Sequence, residues 1–165
     1  MWLNSLIMKL DKVDRRILDV LQRDGRISVT DLAERVGLSA TPCARRIRQL
    51  EDSGLIQGYA AVLDPKRIGP NIQAIVQIKL EQHSDEIVER FRRTLIERPE
   101  VLACYTLTGE MDFLLHVIVR DIEALSDFTM RRLLRVSGVR DVTSSIVLET
   151  VKRSAVIPLE ELAPQ

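Results

Sequence analysis

The sequence predicts an α+β chain in two parts. Three observations predict it: three short helical patterns in the first fifty-odd residues, a break rich in Pro and Gly at 64–70, and a βαββαβ succession of patterns beyond it. The division expected is a helical domain at 1–63, a linker at 64–70 and a ferredoxin-like domain at 71–165.

In the first helix Val13, Ile17, Val20 and Leu21 fall at helical spacing, with Asp11 as the expected N-cap and Gly25 as the stop. Ser28, with Asp31 three residues on, opens a second helix of about two turns through Leu32, Ala33 and Val36, ending at Gly37. Leu38-Ser39-Ala40 is a tight connection. Thr41-Pro42 is the expected N-cap and first position of a third helix, which runs to about Ser53 and stops at Gly54. Three such helices with brief turns are the minimum body of a helix-turn-helix. Leu55–Leu63 is extended, as expected of a winged version.

In the second part Ala74, Val76, Ile78 and Leu80 alternate with polar residues, which predicts a half-buried strand. Ser84 caps a helix with an apolar stripe of Ile87, Val88, Phe91 and Leu95, and Pro99 prevents its continuation. Strands at 101–108 and 112–119 flank a hairpin connection, Gly109-Glu110-Met111. A helix at 121–136 and a last strand from Val139 to Val151 complete the pattern. The tail after Lys152 is ambiguous, with Ala155-Val156-Ile157 as a possible added strand.

Basic and acidic residues, 24 of each, cancel, so any surface for nucleic acid must be local rather than a general positive field. Hydrophobic residues at 45% and charged residues at 29% indicate a folded globular chain. Cys43 and Cys104 form no CxxC pair, which gives a disulfide framework or a zinc site little support and fits a reducing cytoplasm. The opening residues lack the features of a signal peptide or a membrane span, and Met8, directly before a well-patterned helix, is a second candidate start, which would leave the first seven residues loosely ordered.

The third helix has the character of a reading head. At about 100° per residue, Ile47 and Leu50 share a stripe with Cys43, while Thr41, Arg45, Arg48 and Gln49 lie opposite. Arginine on such a face bonds guanine bidentately, and threonine or glutamine meets base edges. Ser39, Ala40, Thr41, Arg45 and Arg46 are therefore assigned to DNA approach and Arg48 to phosphate. Ser28 is explained by capping alone, with a phosphate contact as a further possibility. An exposed arginine face is ordinarily only solvated charge; the two helices before this one weigh against that reading.

The motifs together resemble the Lrp/AsnC family of feast/famine regulators over nearly the whole chain. The resemblance is carried by Leu10-Asp11-Lys12-Val13-Asp14, Asp24-Gly25-Arg26-Ile27-Ser28, Val36-Gly37-Leu38-Ser39, Thr41-Pro42-Cys43-Ala44-Arg45-Arg46-Ile47 and Gly54-Leu55-Ile56-Gln57-Gly58-Tyr59. Thr108-Gly109-Glu110-Met111-Asp112 looks like the family's effector loop, and Val142-Thr143-Ser144-Ser145-Ile146 like its partnering last strand. The resemblance implies that the second domain binds an effector and dimerises, that dimers often assemble to octamers, and that an amino acid binds in the cleft between subunits. Asp112 suits the ammonium. Loop amides with Thr143, Ser144 or Ser145 suit the carboxylate or side chain. Met111 and the small serines favour, weakly, a ligand such as leucine or methionine. No cofactor is expected beyond that effector. Two-fold symmetry implies a roughly palindromic operator.

Two rival readings remain. The same architecture resembles siroheme decarboxylases, but His83 in a turn and His116 in a strand have no recognisable nucleophile or base beside them. His116 is read as a strand residue facing either the helix layer or the dimer seam. A stand-alone amino-acid-binding module would lack the first fifty residues.

Overall fold

Each helix of the first region is started and stopped by its own side chains. Helix α1 (Lys12–Arg23) opens with a reciprocal cap: the Asp11 carboxylate accepts the Val13 and Asp14 N–H groups at 2.8 Å, and Asp14 accepts the Asp11 N–H. Helix α2 (Val29–Val36) is capped by Ser28, whose Oγ accepts the Asp31 N–H at 3.1 Å and donates to the Asp31 carboxylate at 2.7 Å. Gly37, at φ 75°, ends it in the left-handed conformation that glycine adopts without steric cost. Helix α3 (Ala40–Asp52) begins one residue earlier than Thr41-Pro42 implies. Ser39 is the N-cap, and Pro42 sits at the third helical position, where the N–H it lacks has no intrahelical partner anyway. Buried Ile17, Leu18, Leu32, Ala33, Val36, Cys43 and Leu50 form the core of this trihelical body.

The computed structural model describes residues 10–82 and 84–160. The expectations about the first seven residues, a start at Met8 and His83 lie outside the described residues. Residues to Val62 form one compact unit together with those from Lys152, and Leu63–Val151 form the other. The tail was expected in the second domain; it lies with the helices because Gln22 exchanges two hydrogen bonds with Ile157 and Leu159 packs on the helical core. Ala155-Val156-Ile157 is not a strand, nor is Leu55–Leu63. Tyr59 steadies the latter segment, donating to Glu51 at 3.1 Å while its ring rests by Gly25.

The second unit opens with a short helix α4 (Pro65–Ile68), capped by Asp64, within the expected linker. Its sheet is antiparallel in the order β2-β3-β1-β4, comprising β1 (Ile72–Leu80), β2 (Val101–Thr106), β3 (Phe113–Val119) and β4 (Val139–Ile146). With helices α5 (Asp85–Ile96) and α6 (Ile122–Ser126) this is the βαββαβ order. Ala74, Val76, Ile78 and Leu80 of β1, and Phe113, Leu115, Val117 and Val119 of β3, alternate inward against Phe91, Leu95, Leu125, Phe128 and Leu133. Gln73, Ile75, Gln77, Lys79 and Leu114 of the other sheet face are only part-buried.

Two expectations are corrected. The last strand stops at Ile146, not Val151, because its partner β1 starts at Ile72 and the Val147 N–H to the Gln73 carbonyl is the final rung. The helix expected over 121–136 becomes π-helical at Asp127–Leu133. There the Thr129 hydroxyl bonds the Leu125 carbonyl at 2.9 Å, and Leu134 N–H reaches back five residues to Thr129 O.

Candidate DNA-reading and effector sites

The α3 surface divides as the helical wheel requires. Cys43 and Leu50 are buried and Ile47 is half-buried, whereas Ser39, Ala40, Thr41, Arg45, Arg48 and Gln49 are exposed. Burial pushes the Cys43 thiol up and keeps it an unreactive core group. Among the described residues no ion pair engages Arg45 or Arg48, so both guanidinium groups project from a helix whose other side is anchored. Three of the first four N–H groups of α3 belong to Ala40, Thr41 and Cys43, and the positive helix end adds to the attraction for phosphate.

Arg46 is different. Its Nη1 lies 2.7 Å from both Asp11 and Asp14, tying the middle of α3 to the first turn of α1. These hydrogen bonds hold the guanidinium above its ordinary pKa; the Asp14 N–H, with help from Arg46, holds the Asp11 carboxyl below its own. Arg46 was grouped with the base-reading residues. Its geometry makes it a brace that sets how α3 lies on α1. Ser28 is likewise engaged at both ends of its hydroxyl as the α2 cap. Sequence separations of 32 and 35 residues hide the Arg46 pairings from any local pattern.

In the second unit the loop Thr108–Met111 joins β2 to β3. Gly109, at φ 135°, adopts a conformation that side-chain-bearing residues rarely take. Asp112 does not project from this loop. It is buried, its N–H donates to Ile78 O at 2.9 Å, and its carboxylate accepts the Leu80 N–H at 2.7 Å with Lys79 Nζ at 3.9 Å. Lys79 also donates to the Glu110 carbonyl, so β1 holds the loop through Ile78, Lys79 and Leu80. Lys79 was not singled out on sequence, although its place between inward-facing Ile78 and Leu80 puts it on the open face.

Pairing register separates the three hydroxyl residues of β4. Thr143 pairs with Gln77 and Ser145 with Ile75, both on the open face, while Ser144 pairs with inward-facing Val76. Gln77 pairs on its other side with Leu114, and Ile75 with His116. The open face therefore brings Thr143, Ser145, Lys79 and the loop toward one another and leaves Ser144 on the other side. His116 faces away from the helix layer and bonds Gln73 Oε1 at 3.1 Å. A depression of about 540 Å³ between β1 and β4 is lined by Asn71, Gln73, Ile146, Leu148 and Thr150, and by none of the predicted effector residues.

An exposed basic helix on a trihelical body, joined to a βαββαβ unit, defines a helix-turn-helix DNA-binding protein with an appended sensing domain. Residues 10–57 match the winged helix-turn-helix DNA-binding family, and residues 73–157 match the Lrp/AsnC ligand binding domain. The chain is 42% identical over 151 residues to the DNA-binding transcriptional activator DecR of Escherichia coli K12, which spans 92% of this chain and 99% of that protein. It is 41% identical over 145 residues to the leucine-responsive regulatory protein of the same organism, covering 88% of each. A solved complex of a Neisseria meningitidis transcriptional regulator with L-Met superposes with a TM-score of 0.88 at 41% identity, covering 94% of this chain and all 100% of that one. The chain belongs to the Lrp/AsnC family of DNA-binding transcriptional regulators.

Proposed function

We propose that this regulator reads its operator with Thr41, Arg45 and the turn Ser39-Ala40, neutralises phosphate with Arg48, and answers to an amino acid held on the open sheet face. The observation that carries the DNA reading is the exposure of Arg45 and Arg48 opposite buried Cys43 and Leu50. Ser28 and Arg46 support the head from behind, as cap and brace.

The effector reading rests on the gathering of groups suited to a zwitterion. Lys79 and the loop N–H groups donate toward a carboxylate, Thr143 and Ser145 offer hydroxyls, and the loop carbonyls accept from an ammonium. Asp112 contributes through the loop it fixes rather than as the direct ammonium partner. L-Met in the Neisseria relative and the leucine named in the E. coli one favour a ligand of that size. Ile75, Leu114 and Ile118 on the same face supply the apolar surface for such a ligand and for a second copy of the chain. Dimers, and octamers built from them, would close the cleft.

The relatives named here are regulators, and we read this chain as non-enzymatic and cytoplasmic. Among the described residues no helix is long and apolar enough to cross a membrane, and no cluster of His, Cys, Asp and Glu is arranged to hold a metal ion. The test is a gel shift on the DNA upstream of the protein's own coding sequence, with and without each of a panel of amino acids. A specific shift altered by leucine or methionine supports the reading. No specific shift overturns the DNA assignment, and no response to any amino acid overturns the sensor assignment.

A further inference from the structure

The chain leaves the helical unit after Val62 and re-enters it at Lys152, so the tail belongs to the DNA-binding body while following directly on β4. Its docking is specific. The Ile157 N–H donates to Gln22 Oε1 at 2.6 Å, and Gln22 Nε2 donates back to Ile157 O at 3.2 Å, the two-point pairing of an amide with an extended backbone. Val156 and Leu159 are half-buried, and Leu159 packs on the core that contains Ile17 and Leu50. Glu160 lines a groove of about 720 Å³ with Lys12, Arg15, Arg16, Asp19 and Arg35.

We propose that residues 152–160 act as a second tether, a docked peptide that passes a displacement of β4 to α1 and from α1 to the reading helix; this rests on the effector reading given above. Between Ile146, the end of β4, and Lys152 lie only residues 147–151. The first half-buried residue of the tail is Val156, so the stretch to be crossed is 147–155, which reaches at most roughly 30 Å and gives β4 a second covalent connection to the helical unit. Gln22 sits in the last turn of α1, and Asp11 and Asp14, which hold Arg46 of α3, sit at its start. A helix of 12 residues is a rigid rod about 18 Å long, so a pull at Gln22 is delivered to the α3 brace. The route has four links: β4, the tail, α1 and the Arg46 brace. A ligand that favours one placement of β4 thereby biases the placement of α3.

The test uses the full-length protein, Ile157→Pro, which removes the N–H given to Gln22, Leu159→Asp, which expels the apolar anchor, and Arg153→Ala as an exposed control. Hydrogen exchange at Asp19–Arg23 should quicken on the order of tenfold in the first two variants and not in the control. With L-methionine and L-leucine as probes, calorimetric binding should persist, while the fold-change in DNA affinity that each ligand causes falls toward one. Unchanged α1 exchange overturns the docking. Quickened exchange with the ligand response intact overturns the coupling. If neither probe alters DNA binding by the unmodified protein, the sensor reading fails on its own account. The tether is then judged by the ratio of affinities for a full site and a half-site, which it predicts to drop several-fold in Ile157→Pro and which, unchanged, overturns it.

Discussion

The two units present their functional groups in opposite ways. On α3, Thr41, Arg45 and Arg48 stand exposed over a buried stripe. On the sheet, the acid expected to bind ligand, Asp112, is buried in the fold, while Thr143, Ser145 and Lys79 lie on the face opposite the core, with Thr143 and Ser145 exposed. A DNA duplex brings its own second wall, so a convex helix suffices for it. A small zwitterion needs a concave site. Under the proposed function, one subunit suffices to present the α3 face, whereas an amino acid on the open sheet face would need a further wall.

That contrast can be broken most forcefully at the cores. Phe113, 1% exposed and tilted at 45° against Phe91 with ring centroids 4.8 Å apart, belongs to the core of the sheet unit. Phe113→Ala should lower its stability by about 3–5 kcal/mol while leaving the helical unit's exchange protection in place, as denaturant titration with hydrogen exchange would show. Gly138→Ala should act on the same unit. At φ 92° the new Cβ is strained by about 1–3 kcal/mol and also meets Ile87 Cγ2 at 2.5 Å, and the loss would be read from the denaturation midpoint.

The functional contrasts are smaller. Thr143→Ala or Ser145→Ala should weaken amino-acid binding by calorimetry by about 1 kcal/mol, with Ser144→Ala near neutral. Equal losses at all three positions would contradict the open-face assignment. Arg48→Ala should reduce the slope of log affinity against log salt by about 1 with little change in sequence preference. Smallest is a pH effect. Asp11 is held low in the folded state by the Asp14 N–H and by Arg46, so its contribution is present above the ordinary carboxylate pKa and is lost as pH falls through the lowered one. Asp11→Asn should therefore flatten the acid limb of the helical unit's stability curve and leave neutral pH dependence unchanged.

What was legible in the sequence follows the same divide. Local rules gave Asp11, Ser28 and Gly37 their capping roles, separated Cys43 and Leu50 from Arg45 and Arg48, and set the strand alternation of β1 and β3. What stayed out of reach were contacts with distant partners. The bonds of Arg46 to Asp11 and Asp14 span 35 and 32 residues. The acceptance of the Leu80 N–H by Asp112 spans 32 residues. Ser144 was grouped with its neighbours because the face of an edge strand depends on pairing register, which no single strand encodes. The tail's place beside Gln22, 135 residues from Ile157, was equally out of reach.

The central claim is that one face of α3 reads DNA while Arg46 braces it. Anisotropy titrations of the specific operator with Arg45→Ala and Arg46→Ala, each alongside its melting curve, test this most directly. The account predicts that Arg45→Ala weakens specific binding by roughly 1–3 kcal/mol with melting unchanged, whereas Arg46→Ala lowers the melting temperature of the helical unit. Undiminished affinity in Arg45→Ala, together with lost affinity at unchanged melting in Arg46→Ala, would contradict it.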